Sequence, residues 1–186
     1  MKGTNMRPFY RMMLSAGFVL WLSAGASAQE SGNADAEAIK TYEGIMADPA
    51  ASDNAKVEAR LKRIAALSRD ITRRADYSKA AEECVASQAV SLDHKTSVLE
   101  QLKNVYQGDH DWDKAAVCLR QYAELPGLAP SRKAGLLLNL GDVNWRNRHN
   151  LKESLAAFRE IVAMPEVPAK TKQDAEIWIR LLTERD

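Results

Sequence analysis

From about residue 34 onward, apolar residues along this chain fall three and four places apart, and no stretch alternates with a period of two. That spacing predicts helices with one buried face and argues against half-buried strands. Four stripes stand out: Leu61, Ile64, Leu67 and Ile71; Val98, Leu99, Leu102 and Tyr106; Leu136, Leu137, Leu140 and Val143; Ile177, Trp178, Leu181 and Leu182. Between them lie helices of a second kind, in which a small residue precedes a large one by four places. The pairs are Ala38 and Tyr42, Ala80 and Cys84, Ala115 and Leu119, and Ser154 and Phe158. Residues four apart share a helix face, so the small one admits a close neighbour and the large one fills the adjoining space. Pro49, Pro126 and Pro165 stop three of these helices, because proline cannot continue the hydrogen-bond ladder.

The predicted order is a lone helix of the second kind at 34–47, three helix pairs over 54–164, and a closing helix at 169–184 that covers the Leu136–Val143 stripe. The chain also repeats itself. Asp76-Tyr-Ser-Lys-Ala-Ala81 returns as Asp111-Trp-Asp-Lys-Ala-Ala116, with a fainter copy starting at Asn150. Each copy opens on Asp or Asn, whose side chain can accept from the unpaired amides at a helix start.

Leu102, Tyr106, Ala115, Leu119 and Pro126 have the spacing of one tetratricopeptide unit. Leu67, Ile71, Ala80 and Cys84 fit the unit before, and Leu140-Gly141, Ser154, Phe158 and Pro165 the unit after. Residues 34–186 thus resemble the tetratricopeptide-repeat family of 34-residue helix–turn–helix units. The resemblance implies an all-α, right-handed α-solenoid of about three and a half units, with the lone first helix and the closing helix as end pieces. It also implies a groove lined by the first helix of each pair, where a partner protein or peptide binds. On that face it places Lys62, Arg69, Arg73, Asn104, Gln107, Asn139, Asp142, Trp145 and Arg146. The partner-binding strip is taken as Lys62, Arg69, Arg73, Asn104, Asn139, Asp142, Trp145 and Arg146.

A length of 186 residues suits one domain. The balance of 26 basic against 25 acidic residues gives no reason to expect nucleic acid. That balance joins two unlike segments. Residues 1–28 hold Lys2, Arg7 and Arg11, no acid, an uncharged run from Met12 to Gly25, and small residues before a cut after Ala28. This pattern predicts a secretory signal peptide, with an uncleaved anchor as the alternative. Its removal leaves a slightly acidic chain that begins with a flexible polar stretch at 29–33. The expected location is the periplasm or the exterior.

Little in the exported part points to chemistry. Asp109, Asp111 and Asp113 stand at alternate positions, as at the start of a calcium loop, but Lys114 and Arg120 occupy the places where Gly and Glu belong. They read instead as a turn in which Asp111 caps the following helix. His94 and His149 have no ligand at metal spacing, and no nucleophile or phosphate motif occurs. No catalytic, cofactor or metal residue is assigned. Cys84 and Cys118 leave two readings open in an oxidising compartment. Packed helices lie about 8–10 Å apart and a disulfide needs Cα atoms within about 7 Å, which favours buried thiols over a crosslink. The expected function is a non-catalytic scaffold or adaptor for another envelope or secreted protein. The alternatives are a structural or self-associating repeat module and an accessory subunit of an envelope enzyme or cell-wall assembly.

Overall fold

The computed structural model describes residues 27–184. Eight packed α-helices, and no strand, occur among them: α1 Ser27–Ala47, α2 Asp53–Leu67, α3 Arg74–Ala86, α4 Leu92–Gly108, α5 Trp112–Ala123, α6 Pro130–Arg146, α7 Leu151–Ala163 and α8 Ala169–Thr183. The signal-peptide reading over 1–28 lies outside the described residues except for Ser27 and Ala28. Helix α1 begins at Ser27, so the 29–33 stretch belongs to the helix. None of the described helices is long and apolar enough to cross a membrane.

Most helix starts follow the capping logic. The Ser52 and Ser91 side chains accept from the amides of Ala55 and His94, and those of Asp111 and Asn150 from Lys114 and Glu153. Asp76 differs from the expectation. It lies inside α3 and accepts from the Arg73 guanidinium at 3.0 Å, while the local capping role falls to Asp70.

Each helix packs chiefly on its neighbours in sequence. The small–large pairs make that possible. In α7, Ser154 Oγ donates to the Gly141 carbonyl of α6 at 2.8 Å, and the Phe158 ring lies directly over Gly141. In α5, the Cys118 thiol beside Leu119 donates to the Leu99 carbonyl of α4 at 3.5 Å. Ion pairs join the outer surfaces: Arg63 of α2 reaches Glu43 of α1 and Glu83 of α3, and Glu160 of α7 holds both Arg120 and Lys133.

The stripes of α4 and α6 are buried throughout. Two other stripes differ from the prediction. Helix α2 ends at Leu67, because the Asp70 carboxylate accepts from the Thr72 amide at 2.9 Å and its hydroxyl at 2.6 Å and so starts a separate 3-10 turn, Ile71–Arg73. Ile71 is left 69% exposed. On α8 the inward side is Ala175, Trp178, Ile179 and Leu182, while Ile177 and Leu181 face outward. That helix packs on α7, with Trp178 stacked on Phe158 at 6.0 Å, and the same ring lies by Arg146 of α6.

Candidate functional site: a groove beside Ile71

The break between α2 and α3 opens a groove of about 360 Å³. Leu67, Ser68, Arg69, Asp70 and Ile71 form one wall, Arg74 and Tyr77 the floor of the turn, and Gln101, Asn104 and Val105 of α4 the other wall. Its chemistry is mixed. Ile71 gives an exposed branched side chain, Gln101 and Asn104 give two exposed amides on one face of α4, and Arg69 gives a guanidinium whose side chain is 68% exposed. Arg69 donates to Asp35 of α1 at 2.8 Å, and Arg74 pairs with Asp109 beyond the end of α4. Tyr77 reaches Gln101 with its hydroxyl at 3.5 Å.

Of the residues expected to form the strip, Arg69 and Asn104 meet in this groove. Asn139 continues the line on α6, accepting from Gln107 at 3.3 Å. Asp142 and Arg146 pair at 2.5 Å, and the Arg146 guanidinium lies 5.7 Å from the centre of the Trp178 ring. The other three make contacts of their own. Lys62 pairs with Glu58 one turn away, Arg73 with Asp76, and Trp145 packs half-buried against the core. Sequence reasoning missed Ile71, Arg74 and Gln101. The available signal was Asp70 two places before Thr72, a side-chain turn that competes with helix.

The acidic cluster is divided among structural duties. Asp109 pairs with Arg74, Asp111 caps α5, and Asp113 accepts from Arg148 Nε at 2.7 Å. Arg148 also donates to Asn144, which is buried, and to Glu153, so one guanidinium ties α5, α6 and α7 together. His110 and His149 stand just before the caps Asp111 and Asn150, at φ of 57° and 51°. The same left-handed turn thus closes both helix pairs. His94 Nδ1 lies 3.1 Å from Ser91 Oγ.

Cys84 and Cys118 are separate buried thiols. Burial raises the pKa of both, that of Cys118 to about 12, so neither is poised as a nucleophile. Burial likewise pushes the Tyr106 phenol up to about 12, and its hydroxyl donates to Glu82 at 2.8 Å. No protein-family model matches the chain, and none of the curated proteins matches it.

Proposed function

We propose that the chain is an exported, non-catalytic adaptor with the tetratricopeptide-like architecture, a right-handed solenoid whose groove takes a segment of another protein. The observation that carries this reading is Ile71, a large apolar side chain 69% exposed at the rim of a groove that joins apolar Leu67 and Val105 to Arg69, Arg74, Gln101 and Asn104. Contiguous apolar surface rimmed by polar groups is the pattern of a contact site, and Ile71 shares this groove with Leu67 and Val105. The occupant that fits is an extended or helical segment with an apolar side chain for Ile71. Gln101 and Asn104 supply donors and acceptors for its backbone. Packing of each helix on its sequence neighbours supports the solenoid, and the basic, apolar start of the chain supports export.

Crosslinking from a photoreactive residue at position 101 in the cell envelope tests the reading. One main partner is expected, and Ile71→Asp with Asn104→Ala should abolish its capture while the melting temperature holds. Capture unchanged by that double substitution moves the binding surface off this groove.

A further inference from the structure

The two ends of the helix stack each carry half of an interface that the middle completes. Three helices share one register of apolar residues: Val98, Leu99 and Leu102 on α4, Leu136, Leu137 and Leu140 on α6, and Ile177, Trp178 and Leu181 on α8. The first two triplets are no more than 5% exposed, whereas Ile177 is 38% and Leu181 43% exposed. The difference has a visible cause. Leu140 shares a cleft with Ala116 of the helix before it and Ala156 of the helix after it. Helix α8 has α7 before it and no described helix after it.

Helix α1 shows the reverse. The small–large pairs of α3, α5 and α7 are buried, those of α5 and α7 beside a carbonyl of the helix before them. Their counterparts in α1, Ala38 and Tyr42, are only half-buried, with no described helix ahead of them.

The geometry points to head-to-tail self-association, in which α8 of one copy seats the Ala38–Tyr42 face of α1 from a second copy. The junction would cover Ile177 and Leu181, the counterparts of Leu136 and Leu140, while Leu182, already buried, stands in the place of Gly141. Charge favours this pairing over α8 against α8. Helix α1 carries Glu30, Asp35, Glu37 and Glu43 against Lys40, and α8 carries Lys170, Lys172 and Arg180 against Asp174 and Glu176. Glu37, one turn before Thr41, is exposed, while Asp35 and Glu43 are taken by Arg69 and Arg63. An interface between unlike faces does not close on itself as a twofold dimer does, so copies add head to tail, in a ring or an open line.

Sedimentation velocity on the protein as isolated, over a concentration series, tests this. One variant, Ile177→Lys with Leu181→Lys, blocks α8; another, Ala38→Arg, blocks α1; circular dichroism checks that both stay helical. The unsubstituted chain should form dimers and longer species as concentration rises. Each blocked variant should lose association on the order of tenfold or more, equivalent to about 1.4 kcal/mol. An equimolar mixture of the two should give a dimer and nothing larger, since one good end of each kind remains. Tyr42→Lys replaces Ala38→Arg if the latter fails to fold. A chain that stays monomeric throughout overturns the inference. So does an α1-blocked variant that associates normally, because α8 would then be meeting α8. None of these substitutions touches the groove at Ile71, so its failure and this one are separable.

Discussion

Gly141 and Gly135 lie on the same helix and offer a matched pair of substitutions. A methyl group on Gly135 meets nothing within 4 Å, whereas on Gly141 it arrives 2.5 Å from two atoms of the Phe158 ring and 3.0 Å from a third. The ring has little room to yield, being 1% exposed and stacked on Trp178. Helix propensity favours alanine at both positions by about 1 kcal/mol. Overpacking a filled core costs about 1–3 kcal/mol, and a contact this short against a confined ring belongs in the upper part of that range. Gly135→Ala should therefore stabilise by about 1 kcal/mol, or about 2–4 °C in Tm for a chain of this size. Gly141→Ala should destabilise by about 1–2 kcal/mol net. Urea unfolding followed by circular dichroism, with thermal melts alongside, measures both. The sign difference between two identical substitutions isolates the close approach of α7 to α6. Placing Gly141→Ala in a Phe158→Leu background should recover most of its cost, a coupling that a double-mutant cycle reads directly. Equal stabilisation at the two glycines would refute the interlock.

Three further outcomes follow from the packing and the charges. Cys84 and Cys118 should react with iodoacetamide at pH 8 only slowly in the folded protein and readily in urea, since burial holds both protonated; fast native labelling would contradict their placement. Burial pushes the Glu160 carboxyl up, but Arg120 and Lys133 together outweigh it and leave the folded pKa below 4.5. A depressed folded value stabilises above the unfolded pKa and is lost as pH falls through the folded one. The stability gap between the native chain and Glu160→Gln, taken from urea midpoints, should thus be full at neutral pH and shrink below 4.5; a gap constant through that range would refute the pairing. Asn150→Ala should cost about 1 kcal/mol by removing the α7 cap, read as a drop in urea midpoint, and no drop would mean the cap is not formed.

The stack of helices could be read from the chain because its signal is local. Ser154 and Phe158 are four apart, and so are Ala115 and Leu119, and the burial of both pairs follows from helix geometry and a close neighbour. The groove was less accessible. Continuing the Leu61–Leu67 stripe to Ile71 assumed that α2 runs on, and a single carboxylate, Asp70, ends that run by offering Thr72 a better partner. The strip residues carry a local signal of their own. Lys62, Arg73 and Asp142 each have an opposite charge three or four places away, namely Glu58, Asp76 and Arg146. Such spacing pairs side chains along one helix, and these three ion pairs could have been read from the sequence.

The same physics explains why the ends of the chain were misread while its middle was not. An apolar stripe specifies a face, and the face is buried only if a neighbour arrives. Leu136 and Ile177 occupy one register with nearly the same side-chain size, so the sequence gives both the same expectation. What separates 5% from 38% exposure is the helix that follows α6 and the absence of a described one after α8. Under the head-to-tail proposal, the exposed Ile177 and Leu181 take part in assembly, because stacked units are stabilised mainly by nearest-neighbour interfaces. The exposed residues also divide by location. Ile71 lies beside a break within a helix pair, where another copy of the stack has no matching face, and Ile177 and Leu181 lie where the next helix in register would sit. The first surface suits a foreign segment and the second a copy of the chain itself, and the two sets of substitutions should act on different assemblies.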